Sequence, residues 1–270
     1  MRKQIENTLC EQNNLPATYF KSPLENCLPL IQNKWEKIKI DLSQGSGNEL
    51  QSGKFNSIGS SSALGVNAFG VFFEPNFMTW PTIKSQKFNN PAFERKLSNG
   101  LQGTNPNLDV FFENDKCVLA IECKFLETLG KKKPKFSDQY INIKDDRRDS
   151  KWFRLMIDLL DGKVTFRYLD AAQLIKHYFG LAHEYANSAM DLEIGYVFWE
   201  PGKNGDASDP VIDLYAEHQN ECKRFADLVS GDKIRFSFYS YPDLIEYWRG
   251  GGMVGDLVEH FSLFDEKYKL

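Results

Sequence analysis

No stretch of this 270-residue sequence approaches the roughly 20 consecutive apolar residues that a membrane span requires. The opening M-R-K-Q-I-E-N-T-L-C-E-Q-N-N-L has no apolar core of the kind a secretory leader carries. Cysteine is scarce: Cys10, Cys27, Cys117, Cys123 and Cys222 make an odd five, without metal-ligand spacing. That excludes a disulfide framework and points to free thiols packed in a reducing compartment. Histidine is scarcer still, and His177 and His183 lack partners at ligand spacing, so neither is expected to bind a metal. There is no G-x-G-x-x-G and no G-K-[ST], so no phosphate-cradling loop. Internal repeats and low-complexity linkers are absent as well. A net charge of −4 denies the chain any global attraction for nucleic acid. The expectation is a soluble, cytoplasmic protein.

What is present describes a folded chain. Hydrophobic residues make up 41% and aromatic residues 14%, enough for a sizeable core. Residues 1–27 show no clear periodicity. From Pro29, the spacing of Leu30, Ile31, Trp35, Ile38 and Leu42 predicts an amphipathic helix. A flexible G-S-G-N-E-L-Q-S-G follows, and then a helix over 60–71 with Ser60 to Ser62 as cap candidates. Phe93 to Gly100 alternates as a strand. Later come a helix at Ser150 to Asp158 and a stronger one from Asp170, striped by Leu174, Ile175, Tyr178, Leu181 and Tyr185. Leu192 to Glu200 reads as a buried strand, Val211 to Val229 as a helix, and Lys233 to Tyr239 as another strand. Pro242 opens a last helix through Trp248. Strands alternating with helices indicate an α/β fold with a central mixed β-sheet flanked by helices. Two parts are expected, an N-terminal helical extension over 1–44 and one main domain over 45–270.

The chemistry concentrates between Asn107 and Phe125, N-L-D-V-F-F-E-N-D-K-C-V-L-A-I-E-C-K-F. Two apolar strands surround an Asn114-Asp115 turn. Glu122 and Lys124 share a face with Val118 and Ala120. With a two-residue loop, Glu113 lies opposite Lys116 and Asp109 lies diagonal to Glu122, about 7–8 Å away. Two carboxylates and a lysine thus converge on an otherwise apolar sheet. Adjacent buried carboxylates repel unless a cation lies between them, and oxygen-only donors suit Mg²⁺ or Mn²⁺. A metal so held activates water and stabilises charge on a phosphate, and a lysine two residues on can orient that water. Lys131 to Arg154 adds nine basic residues to four acidic ones, a local +5 against −9 elsewhere. It suits phosphate contacts as well as it suits a solvated loop.

D-(x12)-E-x-K on a hairpin resembles the PD-(D/E)XK nuclease superfamily, the restriction-endonuclease-like fold. Leu108 stands where the motif has proline. The S-S-S-A-L-G-V-N-A-F-G segment and the F-E-R-K-L-S-N-G-L-Q-G-T-N-P-N-L-D run are similar to a bacterial group of restriction-endonuclease-like proteins within it, over roughly residues 45–250. The resemblance implies a Mg²⁺- or Mn²⁺-dependent endonuclease of restriction, repair or phage-defence type. It implies double-stranded DNA as partner, no membrane, and room for a homodimer. Asp109 and Glu122 would be the metal-binding acids, the Cys123 backbone carbonyl would complete their site, and Lys124 would be the catalytic lysine. An upstream glutamate often joins such sites, for which Glu49 is the candidate beside its alternative as an exposed loop acid. Gln173 would return to the site from the following helix, although Asp170 and Gln173 also have capping-box spacing. Glu94 is expected to be an outward strand residue rather than a site acid.

Two other classes compete. A catalytically silent nucleic-acid-binding or scaffold protein could keep the fold, although such a relative has no reason to retain a destabilising charged cluster. Paired carboxylates also serve glycosidases, but the lysine and the lack of a sugar-stacking aromatic pattern argue against that. Chance placement of D…E-x-K among 37 acidic residues is the bland alternative.

Overall fold

The computed structural model describes residues 1–44, 49–103, 105–130, 133–201 and 210–268. Part of the glycine-rich connection, Lys131 and Lys132 lie outside the described residues. The chain begins with a helix, α1 (Arg2–Gln12), where periodicity was not evident. Ile5, Leu9 and Cys10 form its narrow buried edge. The helix expected from Pro29 is divided at Asn33 and Lys34 into α2 (Pro29–Gln32) and α3 (Trp35–Gln44), which bury Ile31, Trp35, Ile38 and Leu42 as anticipated. In α4 (Ser61–Phe69), the Ser60 hydroxyl accepts from the Ala63 N–H at 3.1 Å, a side-chain N-cap. This helix is buried from Ser62 to Phe69. Gly65 permits that, since a Cβ there would stand 3.1 Å from the Cys123 sulfur.

A two-stranded hairpin, β1 (Met78–Trp80) with β2 (Ile83–Phe88), precedes the main sheet. That sheet runs in sequence order through β3 (Ala92–Lys96), β4 (Asn107–Glu113), β5 (Cys117–Lys124), β6 (Asp191–Phe198) and β7 (Ile234–Ser240). The first three strands pair antiparallel, and β5, β6 and β7 are parallel, a mixed α/β sheet. The crossovers carry α5 (Asp138–Ile141), α6 (Lys151–Leu160), α7 (Ala171–Glu184) and then α8 (Pro210–Val229). After β7 come α9 (Tyr241–Gly250) and α10 (Asp256–Tyr268), the second not anticipated from the sequence.

β5 is the central strand, and all of its eight residues are buried. Its period-2 alternation divides the core. Cys117, Leu119, Ile121 and Cys123 face a cluster built with α1 to α4, the β1–β2 hairpin, α9 and α10. Val118 and Ala120 face a second cluster under α6, α7 and α8. Residues of the N-terminal helices therefore pack into the same apolar cluster as β4 and β5. Among the described residues no helix is long and apolar enough to cross a membrane.

Candidate active site

The β4–β5 hairpin turns one residue later than its sequence suggested. The Asn114 side chain accepts from the backbone N–H of Lys116 and Cys117 at 2.9 and 2.8 Å, and Asn114 N–H donates to the Cys117 carbonyl at 3.0 Å. That leaves Asp115 and Lys116 as the turn residues. Glu113 consequently pairs with Val118 rather than Lys116. Its carboxylate accepts instead from Arg95 and from the Tyr185 hydroxyl, at 3.4 and 3.0 Å. The slip is two residues, which preserves the faces. Continuing the Val110–Ile121 pairing by one step places Asp109 across from Glu122 rather than diagonal to it.

The row extends one strand further. Glu94 lies between the pairs Phe93–Val110 and Arg95–Leu108, which sets it beside Asp109. It is not the outward residue that strand alternation suggested. Its φ of 53° turns the backbone into the left-handed region, and the side chain is buried, accepting from Asn107 Nδ2 at 3.2 Å. Period-2 alternation assumes extended backbone on both sides, and this residue breaks that assumption.

Lys124 and Glu122 form an ion pair through Glu122 Oε1, both buried. Lys124 Nζ also donates to Gln173 Oε1 at 2.9 Å. Of the two alternatives for the Gln173 side chain, the reach to the site is the one observed, and only the Asp170 half of the capping box forms. Its backbone N–H is capped by Asp170 Oδ1 at 3.1 Å, and its side chain reaches the site. One turn along α7, His177 Nε2 meets Glu122 Oε2 at 2.7 Å. His177 was not among the expected site residues. The available signal was its four-residue spacing from Gln173, which puts both side chains on one face of the helix. Asp109 Oδ2 accepts the Cys123 N–H at 2.7 Å, while the Cys123 thiol lies on the far face against α4.

Negative charge exceeds positive charge here, and the titrations divide accordingly. Burial pushes the Asp109 carboxyl well above its usual range, and the neighbouring Glu122 adds to that against the opposing pull of Lys124. Burial, then the charge of Glu49, raises Glu94 to about 7. Burial alone would raise Glu122 too, but the Lys124 ammonium and His177 outweigh it and hold the carboxyl down at about 2. Burial would lower Lys124, yet Glu122 and Asp109 overcome this and keep its ammonium charged. Glu49 sits at the margin, 4.0 Å from Lys54 Nζ, with its own carboxyl raised by burial.

Among the described residues, no three Asp, Glu, His or Cys side chains are grouped as a ready metal cage. The donor set fits a hard cation of another kind. Mg²⁺ typically takes one or two carboxylates and keeps several waters. Asp109 and Glu122 on adjoining strands, with the Cys123 main chain bonded to Asp109, supply that set, and the excess of carboxylates over ammonium groups favours a cation.

The basic segment is partly structural. Arg147 is buried, bound to Asp145 and to the carbonyls of Asn99 and Phe179 at 2.7 and 3.2 Å. Lys151, Arg148 and Arg154 donate to backbone carbonyls of Ser230, Ile143 and Asp149. Lys133, Lys135 and Lys144 remain exposed. His183 lies away from the site, its ring against Gly100.

No curated protein and no solved structure compared with the chain gave a match. The model of one family, described as restriction endonuclease associating with ARP, matches residues 3–269. The mixed sheet, its antiparallel hairpin and the flanking helices agree with a restriction-endonuclease-like fold, and that description names a nuclease acting on nucleic acid. With nearly all of its length matched, the chain belongs to this family of restriction endonucleases.

Proposed function

We propose that the protein is a PD-(D/E)XK nuclease that hydrolyses phosphodiester bonds in double-stranded DNA with Mg²⁺ or Mn²⁺. The observation that carries this reading is the meeting of half-buried Asp109 with buried Glu122 and Lys124, closed over by Gln173 and His177 from α7. Asp109 and Glu122, with the Cys123 carbonyl, would hold the cation, and Glu49 borders them. Bound there, a divalent ion lowers the pKa of a coordinated water and offsets charge on the phosphate. The chain's own residues do the rest. Lys124 is kept charged by Glu122 and Asp109, and its ammonium is fixed between Glu122 and Gln173. From that position it orients the attacking water and stabilises charge developing on the phosphate. The exposed Lys133 and Lys135 precede Phe136, whose ring lies 5.6 Å from Lys176 Nζ of α7, and they supply contacts to the DNA backbone. From the family description we extend to this chain, as part of the proposal, an association with ARP.

A silent nucleic-acid-binding protein is the second reading, favoured by one observation: both oxygens of Glu122 are already engaged by Lys124 and His177. Incubating supercoiled plasmid and linear duplex with Mg²⁺, Mn²⁺ or EDTA separates the two. A nuclease nicks or cuts only with metal, and Lys124→Ala slows it about a hundred- to a thousandfold. Asp109→Asn, which keeps an oxygen for the Cys123 N–H, abolishes cutting with the fold intact. No cleavage of DNA or RNA, together with no metal binding by calorimetry, selects the silent protein.

A further inference from the structure

The geometry points to His177 as a positioning residue that fixes the Glu122 carboxylate for the cation, an inference resting on the nuclease reading above. Glu122 is at the centre of the sheet, 1% exposed, and its two oxygens face two different partners. Lys124 takes Oε1, and His177 Nε2 takes Oε2 at 2.7 Å. A carboxylate gripped at both oxygens cannot rotate about its last bond. Lys124 is itself oriented by Gln173, one helical turn before His177. One face of α7 therefore sets both functional groups of β5.

The ordinary explanation of a buried histidine is core packing, and two others in this chain serve as its measure. His218 meets the Tyr196 hydroxyl at 2.9 Å and His260 meets the Asn67 carbonyl at 2.8 Å, both neutral partners in packed interiors. Among the described residues, His177 is the one buried histidine of three that meets a carboxylate, and that carboxylate is one of the two acids at the candidate metal site. With Oε2 held by His177 and Oε1 by Lys124, the orientation of the carboxylate is set before a cation arrives. In metal sites, groups that orient a ligand in this way commonly contribute about 10- to 100-fold to metal affinity.

Two substitutions of similar polarity and different reach test this. The His177→Gln amide extends far enough to donate to Glu122 Oε2, whereas the His177→Asn amide stops short. Mn²⁺ affinity is measured by titration calorimetry on the full chain without DNA, after melting curves show both variants folded. His177→Asn is expected to bind Mn²⁺ about 10- to 100-fold more weakly, with His177→Gln recovering most of the loss. The metal concentration for half-maximal cleavage should shift in parallel, with KM for DNA unchanged. Wild-type affinity in His177→Asn overturns the assignment alone, as does an equal loss in both variants, since packing does not depend on reach. Absence of Mn²⁺ binding by the wild-type protein overturns the assignment and the metal-dependent nuclease reading together.

Discussion

Two neighbouring strands each bury a glutamate, and the two are treated in opposite ways. Glu193 on β6 is fully enclosed and surrounded by donors. Trp80 Nε1 donates to it at 2.9 Å and Arg235 Nε at 3.1 Å, and the hydroxyls of Thr82 and Ser237 complete the set. Every donor is a side chain from the β1–β2 hairpin or β7, so this carboxylate fastens the hairpin to the sheet. Glu122 on β5 shares its surroundings with Asp109 and Glu94, and Lys124 stands against all three. A buried polar group with balanced partners rigidifies a fold. One whose neighbours leave charge over is costly, and such imbalance clusters where chemistry is done.

Removing each group should expose the difference. Glu193→Ala takes the acceptor from the Thr82 and Ser237 hydroxyls and from Arg235 Nε, leaving Trp80 with Ser237 Oγ and Arg235 with Asp191, so it should destabilise the protein by about 1–3 kcal/mol. Chemical denaturation would measure this, and Mn²⁺ affinity of the folded fraction should not change. Asp109→Asn is expected to do the reverse. It removes the repulsion from Glu122 while keeping an oxygen for the Cys123 N–H, so stability should rise by about 0.5–2 kcal/mol while metal binding disappears. A loss of stability in Asp109→Asn would mean that the acids at this site are structural, as Glu193 is.

How much of this was readable beforehand follows from the range of each interaction. The alternation along β5, with Glu122 and Lys124 on one face, depends only on neighbouring backbone and was legible. So were the Ser60 cap and the reach of Gln173 as one of its two alternatives. The hairpin register was not, because the Asn114 side chain closes a turn that the Asn-Asp dipeptide only locates to within one residue. Glu94 was misplaced because a left-handed backbone at one position reverses its direction. His177 meets Glu122 across 55 residues of sequence, and only the docking of α7 on the sheet brings them together. Two of the helices not anticipated, α1 and α10, meet each other at the back of the first core cluster, where apolar stripes are short and tertiary packing supplies the helix.

The same contrast recurs between two buried lysines. Lys124 has carboxylates about it and stays charged. Lys267, near the end of α10, is buried with no ion-pair partner among the described residues: its ammonium donates to the Asn26 carbonyl and lies 4.6 Å over the Phe20 ring. Burial lowers its pKa from 10.5 to about 7, with Cys27 opposing only in part. Between those two values the unfolded chain holds a proton that the folded chain has released. Stability from this residue therefore rises with pH from about 7 to about 10.5, and is least below pH 7, where the ammonium is charged inside the fold. Lys267→Met should flatten that slope and raise Tm at pH 6 more than at pH 9, by a few degrees at most, without altering cleavage. An equal Tm change at both pH values would show that Lys267 shares with Lys124 a partner that keeps it charged, and the contrast between the two lysines would fail.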